Sequence, residues 1–113
     1  MSDPTLARRL AVLSRRRVLA HDVAVAVGPR SRLLGLAWLP RERAGAGLLV
    51  PRCASVHTFG MRFAIDVVFL DARERPLAVH LSVPPRRLLA HRGARAVLEI
   101  PAAQGGESVL PPT

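Results

Sequence analysis

Apolar residues are densest at residues 63–70, Phe-Ala-Ile-Asp-Val-Val-Phe-Leu. Residues at both odd and even positions are apolar there, which is typical of a strand buried on both faces of a sheet. Asp66 is the exception, and a carboxylate in such a strand needs a partner because an unpaired buried charge is costly. Arg62, His57, Thr58 and a backbone N–H of a neighbouring loop are all candidates, and the pattern does not choose among them.

Four further stretches show short apolar runs or apolar residues at alternate positions, bounded by Gly or Pro, and these patterns predict strands. They are residues 23–27, 47–50, 77–83 and 96–100. The stretch 71–76 predicts the turn of an antiparallel hairpin, whose second strand has one buried and one wetter face. The predicted buried face of that strand carries Leu77, Val79, Leu81 and Val83.

Two short helices are also predicted. Leu6, Leu10 and Leu13 recur with helical spacing after Asp3-Pro4, so residues 4–17 read as a basic amphipathic helix. A second helix is predicted over residues 30–38. Gly35 within it costs about 1 kcal/mol relative to Ala, which favours a close-packing position or the end of the helix.

These elements predict a mainly β (α+β) fold, a small rolled sheet or partly closed β-barrel of about five to seven short strands with one or two short helices. A chain of 113 residues suffices for one modest core and is too short for two. We assign residues 1–17 to an N-terminal basic amphipathic helix extension and residues 18–101 to a single domain. Residues 102–113, rich in Gly, Pro and Ser, are expected to form a loose C-terminal tail.

Four segments resemble, in their order along the chain, the motifs of one known family. They are Arg32-Leu-Leu-Gly-Leu36, Gly47-Leu-Leu-Val-Pro51, the long run from His57 to Asp71, and Ala94-Arg-Ala-Val-Leu-Glu-Ile-Pro101. Over about residues 23–101 the chain thus resembles the domain of unknown function 192 family. It departs from that pattern at His57-Thr-Phe59, where many members carry Phe-Trp. That family has no established biochemical activity, so the resemblance implies a fold and not a function.

Charge is unevenly distributed. All 17 basic residues are Arg, and residues 1–57 hold 10 of them against 3 acidic residues, while residues 58–113 hold 7 against 5. An acidic surface such as nucleic acid, anionic lipid or a protein partner would be attracted to the N-terminal half. The anion-binding candidates are Arg8, Arg9, Arg15, Arg16 and Arg17.

The sequence predicts no metal site and no cofactor. Cys53 is the single cysteine, which forbids an internal disulfide, and His57, His80 and His91 lack the spacing of metal ligands. A nucleophilic role for Cys53 beside Arg52 is possible in principle, but an inert cysteine is the simpler interpretation. No signal peptide or membrane span is expected in the sequence, and the expected location is cytoplasmic.

The ligand-binding candidates are His57, Thr58, Met61 and Asp66, which would form a small polar pocket if the chain bends at Gly60. In the alternative interpretation Asp66 is a structural hydrogen-bonding hub that fixes this bend. We therefore predict a non-enzymatic binding or accessory module that uses the loop 55–66 to contact an unknown small ligand or protein.

Two further functions stay open. A small enzyme, for example a hydrolase, could use Asp66 with His57 if these side chains lie within hydrogen-bond reach of each other or of a shared water. An Arg-driven binder of nucleic acid or an anionic membrane could act through the N-terminal helix.

Overall fold

The computed structural model describes residues 13–28, 32–33 and 35–103, and these residues form eight strands in two sheets. In chain order the strands are β1 (Arg15–Val18), β2 (His21–Val25), β3 (Leu48–Pro51), β4 (Ser55–His57), β5 (Ile65–Leu70), β6 (Pro76–Val83), β7 (Leu88–Ala90) and β8 (Ala96–Pro101). A 3₁₀ helix, Arg41–Arg43, precedes β3.

The larger sheet has the strand order β1-β2-β3-β8-β5-β6, and β4 pairs with β7 in a separate two-stranded sheet. Strands β2 and β3 are parallel, whereas every other pair is antiparallel. All six residues of β5 and all six of β8 are buried, and these two strands lie side by side within the sheet. The prediction that the apolar run forms a strand buried on both faces is therefore confirmed for Ile65–Leu70.

Alternation along β5 and β8 divides the core between the two faces of the sheet. Val67, Phe69 and Val97 belong to one cluster, which also contains Leu36 and Leu39 from the segment before β3 and Met61 from the segment after β4. Their alternating neighbours belong to a second cluster, formed by Val18, Val23, Leu49, Val68, Leu70, Ala96, Leu98 and Ile100. Burying one such large apolar side chain contributes about 1.5–3 kcal/mol, so the two clusters supply much of the driving force for folding.

The hairpin β5–β6 is antiparallel, as predicted, and Asp71 begins its turn. Its Oδ1 accepts hydrogen bonds from the backbone N–H groups of Arg73 (2.8 Å) and Arg75 (2.9 Å). The Arg75 N–H is the main reason why the pKa of Asp71 is lowered, because a donor stabilises the charged carboxylate.

The predicted buried face of β6 is wrong in part. Leu77 is 42 % exposed and Leu81 54 % exposed, while Val83 is buried. Two register shifts explain this difference. Ile65 pairs with Val83 and Val67 with His80, so two steps along β5 match three along β6 near Leu81. Phe69 pairs with Ala78 and Leu70 with Pro76, so Leu77 is left unpaired. These irregularities interrupt the period of two from which the face was predicted.

The barrel and the helices require correction as well. The edge strands β1 and β6 do not pair, so the larger sheet is open. Within the predicted second helix, residues 32–33 are helical but residues 35–38 form turns. Arg15–Val18, which includes the end of the predicted first helix, is strand β1 and pairs with β2.

The rest of the predicted first helix and residues 104–113 of the predicted tail lie outside the described residues. Ala102, assigned to the tail, is buried, and its N–H donates to Ala64 C=O (3.0 Å). The division into residues 1–17, 18–101 and 102–113 otherwise stays a prediction. Strands β4 and β7 were not predicted from the sequence.

Candidate functional site

A cavity of about 220 Å³ lies on the face of the sheet that β4 and β7 help to cover. Its walls come from β3, β4, β7, β8 and the segment that contains Arg32 and Gly35. Its polar lining residues are Arg32, Cys53, Ser55, His57 and Glu99, and its apolar ones are Leu33, Val50, Val56, Leu88 and Val97. We call this space the Glu99 cavity.

Glu99 is the buried acid of this cavity, with 4 % of its surface exposed. The backbone N–H of Leu36 donates to its carboxylate, and a side chain on Gly35 would begin only 3.1 Å from Oε2. Burial removes the carboxylate from water and raises the pKa of Glu99 to about 7, against the smaller lowering effect of the Leu36 N–H. None of the ion pairs among the described residues involves Glu99, so no paired cation offsets the effect of burial.

Gly35 makes this arrangement possible. Its φ of +56° lies in the left-handed region, and the carboxylate of Glu99 packs against its Cα side. The predicted close-packing position is thus a real contact between the Arg32-Leu-Leu-Gly-Leu36 segment and the Val-Leu-Glu segment of β8. Two of the four segments that carry the family resemblance meet at this point.

His57 is a polar group of the cavity with one ring nitrogen that lacks a hydrogen-bond partner among the described residues. Its Nε2 lies 3.1 Å from the carbonyl oxygen of Leu33. Because a carbonyl can only accept, Nε2 carries the proton of this bond. The other ring nitrogen, Nδ1, is buried and has no hydrogen-bond partner among the described residues. In the neutral imidazole Nδ1 is therefore a free acceptor.

Arg32 and Cys53 are already engaged with the backbone. The guanidinium of Arg32 donates to the carbonyl oxygens of Pro51 and of Arg52, the second at 2.9 Å. The thiol of Cys53 donates to the carbonyl oxygen of Ser55 at 3.0 Å. Both side chains thus hold the β3–β4 connection in place at the edge of the cavity.

Thr58 is fully buried and joins two loops. Its Oγ1 donates to Pro84 C=O (2.8 Å) and accepts from the N–H of Arg87 (2.7 Å), and its own N–H donates to Arg87 C=O (2.8 Å). Its carbonyl oxygen accepts the N–H groups of Met61 and Arg86, each at 3.2 Å. The hydroxyl and the backbone of Thr58 are thus engaged in these bonds, which tie the bend at residues 59–60 to the loop after β6.

Asp66 lies on the other face of the sheet. In the antiparallel ladder Asp66 pairs with Ile100 and Val67 pairs with Glu99, and directly paired residues share a face. Oδ1 of Asp66 accepts the backbone N–H of Ser82 (2.8 Å), at the irregularity between β5 and β6. Oδ2 is buried without a hydrogen-bond partner in the described residues.

The predicted cluster of His57, Thr58, Met61 and Asp66 is consequently divided. His57 lines the Glu99 cavity, whereas Met61 is 7 % exposed and lines a different groove. No hydrogen bond joins His57 to Asp66 in the described residues. His57 bonds the carbonyl oxygen of Leu33, and Asp66 accepts the N–H of Ser82. The side-chain pair that an enzyme of the predicted kind would need is not formed directly.

The anion-binding candidates fall into three groups. Arg8 and Arg9 lie outside the described residues. Arg15 pairs with Asp22 (3.5 Å) and Arg16 with Glu74, so two of the guanidinium groups face a carboxylate. Arg17 is exposed in β1.

Sequence reasoning missed Glu99 and Arg32 as members of the site. Glu99 interrupts an apolar stretch as Asp66 does, and the same argument about a buried carboxylate applied to it. The described ranges contain no group of three or more His, Cys, Asp or Glu side chains suited to a metal ion. Among the residues with assigned structure, no helix has both the length and the apolarity needed to cross a membrane.

The fold and the cavity define a small mainly β protein, with an open mixed sheet and a polar cavity on one face. The chain belongs to the domain of unknown function 192 family, described as an uncharacterized ACR, whose model matches residues 11–108. That match confirms the resemblance and begins within the predicted N-terminal extension. No curated protein matches the chain.

Two crystal structures share the fold. A "putative transcription regulator" from Sinorhizobium meliloti 1021 has a TM-score of 0.63 and 21 % sequence identity, with 78 % of each chain covered. A protein of unknown function from Novosphingobium aromaticivorans DSM 12444 has a TM-score of 0.58 and 15 % identity, with 90 % of this chain and 88 % of that one covered. At these identities the likeness concerns the fold alone.

Proposed function

We propose that this protein is a non-enzymatic binding module, and that its site is the Glu99 cavity, which takes a small molecule carrying N–H donors. The observation that carries the proposal is the presence of two buried acceptors in the walls of one cavity, the carboxyl group of Glu99 and Nδ1 of His57. Nδ1 of His57 is buried without a partner among the described residues, which is costly, and a bound ligand would supply the missing donor.

The kind of ligand follows from the available hydrogen-bonding groups. Two donors at the edge of the cavity, the guanidinium of Arg32 and the thiol of Cys53, already face backbone carbonyls. The acceptors remain, so an amidine, an amine or a heteroaromatic N–H group is the complementary chemistry. An anionic ligand is disfavoured because it would approach a carboxyl group in surroundings that already oppose charge.

Part of the predicted binding loop belongs to this site. Ser55, Val56 and His57 of β4 line the cavity, and Thr58 fixes the loop that follows. Asp66 takes no part in the proposed site because it lies on the opposite face of the sheet.

The test compares two ligands of similar shape and opposite charge, benzamidine and benzoate. Thermal unfolding at a pH above 7, where Glu99 is ionised, is measured with each compound. Benzamidine is expected to raise the Tm of the wild-type protein in a concentration-dependent way, and benzoate is expected to leave it unchanged. Both Glu99→Gln and His57→Ala should reduce the benzamidine shift by at least half.

Asp66→Ala is the matched control, since it removes a buried acid from the same pair of strands without touching the cavity. It should lower the Tm of the free protein and keep the full benzamidine shift. An equal shift in wild type and Glu99→Gln, or a shift lost only in Asp66→Ala, would contradict the proposal.

A further inference from the structure

A second surface carries exposed aromatic rings beside guanidinium groups. Trp38 is 59 % exposed and Phe59 53 % exposed, and both line a groove of about 530 Å³. Arg62, Pro85 and Arg86, all exposed, complete its rim. We call these five residues the Trp38 patch. Two large exposed rings in one groove are unusual on a small domain and mark an interaction surface.

The indole of Trp38 is held in place by the bend at Gly60. The backbone N–H of Trp38 donates to the carbonyl oxygen of Gly60 (2.8 Å). Gly60 has a φ of +80°, and a side chain there would begin 2.9 Å from Cε2 of the indole, so the ring packs directly on this glycine. Trp38 itself has a φ of +69°, a conformation that non-glycine residues rarely adopt. The backbone thus keeps an exposed ring in a fixed position, as strained residues at binding sites do.

The opposite rim of the groove is fixed by Thr58. Its carbonyl oxygen accepts the N–H of Arg86, whose φ is +67°. Its hydroxyl group bonds Pro84 and Arg87 on either side. Thr58 is therefore a positioning residue that ties the Phe59 side of the groove to the Arg86 side.

The charge of the patch identifies the kind of partner. Among the described residues no carboxylate pairs with Arg62 or Arg86, although other arginines of the chain do find acidic partners. Two unpaired guanidinium groups next to two exposed rings suit a ligand that combines negative charges with flat apolar groups.

We propose that the Trp38 patch binds single-stranded nucleic acid, with unpaired bases stacked on Trp38 and Phe59 and phosphates paired with Arg62 and Arg86. Aromatic platforms in a basic groove are the general means by which proteins hold unpaired strands. A duplex keeps its bases stacked on one another and offers the rings no free face. A peptide of acidic residues alone would pair with the guanidinium groups but leave the rings uncovered. This site is separate from the Glu99 cavity, and neither proposal depends on the other.

Trp38 is the only tryptophan in the chain, and there is no tyrosine, so intrinsic fluorescence reports on this patch. The wild-type protein is titrated with a short oligothymidylate, an abasic oligonucleotide of equal length, the corresponding duplex and polyglutamate. Saturable quenching by the oligothymidylate is expected, with at least tenfold weaker binding of the abasic strand and of the duplex.

Variants separate stacking from charge, and fluorescence polarisation of a labelled oligothymidylate measures their affinity without relying on Trp38. Phe59→Leu should weaken binding about tenfold, because it removes one stacking face. Arg62→Gln should weaken it and lower the dependence of log Kd on log salt concentration by about one unit. Arg92→Gln, which removes an exposed arginine outside the patch, is the matched control and should leave the affinity within about twofold.

Three outcomes would overturn the proposal. Equal affinity for abasic and normal strands would show simple attraction to phosphates. Equal losses in Arg62→Gln and Arg92→Gln would show that only the net charge of +9 matters. Quenching by polyglutamate without quenching by the oligothymidylate would assign the patch to an acidic peptide. Urea unfolding of each variant identifies any that fails to fold, and Trp38→Leu then serves as the second stacking variant.

Discussion

Asp66 and Glu99 are both buried acids on adjacent strands, with exposed fractions of 1 % and 4 %, yet their surroundings differ. Asp66 pairs with Ile100 and Glu99 with Val67, so the two carboxyl groups lie on opposite faces of the same sheet. Asp66 accepts a backbone N–H where the hairpin is irregular. Glu99 accepts a backbone N–H from the Gly35–Leu36 turn and lines an open cavity.

The difference shows that burial alone does not distinguish a structural acid from a site residue. The Asp66 carboxylate completes the backbone hydrogen bonding of an irregular hairpin, which is a structural task. The Glu99 carboxyl borders space that another molecule can enter, beside a second acceptor on His57. Three stability measurements test this difference between Asp66 and Glu99.

The largest effect is expected from the titration of Glu99. Its pKa of about 7 in the folded state exceeds the ordinary value of 4.5, so the folded protein binds more protons than the unfolded chain between these limits. The free energy of unfolding should therefore fall as pH rises from about 4.5 to about 7. At about 1.4 kcal/mol per pKa unit, the loss amounts to roughly 3 kcal/mol at most. Urea denaturation at a series of pH values measures it.

Glu99→Gln removes this titration and supplies the control. The variant should match wild type near pH 4.5 and be more stable above pH 7. His57 lines the same cavity, so His57→Gln is measured in parallel. If the free energy of unfolding depended on pH in the same way for wild type and Glu99→Gln, the raised pKa of Glu99 would be contradicted.

An intermediate effect is expected from Gly35→Ala. An alanine there has an unfavourable positive φ and a Cβ only 3.1 Å from the Glu99 carboxylate, so we expect a loss of about 2 kcal/mol in unfolding free energy. Gly45→Ala is the matched control, since its φ is +59° but no atom lies within 4 Å of the added Cβ. It should cost about 1 kcal/mol. Equal losses in urea denaturation would argue against a tight contact between Gly35 and Glu99.

The smallest effect is expected from Asp66→Ala, which leaves the N–H of Ser82 without its acceptor. The free energy of unfolding should fall by about 1.5 kcal/mol, the usual cost of an unsatisfied, partly buried hydrogen-bond donor. Asp71→Ala also removes a carboxylate that accepts backbone N–H groups, but in an exposed turn where water can replace it. Its loss should stay below about 1 kcal/mol in the same assay. A larger loss for Asp71→Ala would remove the basis for treating Asp66 as a buried structural group.

Much of the fold could be predicted from the sequence, because apolar runs and alternation report directly on burial. The run at residues 63–70 and the stretch at 96–100 correspond to the two fully buried strands. The short strands β4 and β7 could not be predicted in this way, since three residues give too little alternation. The exposed Leu77 and Leu81 were misjudged because a register irregularity changes the face without changing the sequence pattern.

The candidate site was less predictable. Loop 55–66 was expected to gather His57, Thr58, Met61 and Asp66 in one pocket, but nearness along the chain does not determine which face of a sheet a side chain occupies. Only His57 of these four lines the Glu99 cavity. The buried acid of the cavity, Glu99, comes from β8. It packs against Gly35, which lies far from β8 in the chain.

A mainly β, single-domain protein of this family and buried carboxylates in apolar strands follow from the amino-acid sequence, because both depend on local patterns of side chains. Which carboxylate faces a cavity and which supports a hairpin depends instead on the tertiary structure. It also decided that Trp38 and Phe59 share an exposed groove with Arg62 and Arg86. These outcomes depend on strand register and on contacts between distant segments, which the free energy of the whole fold selects and no single segment encodes.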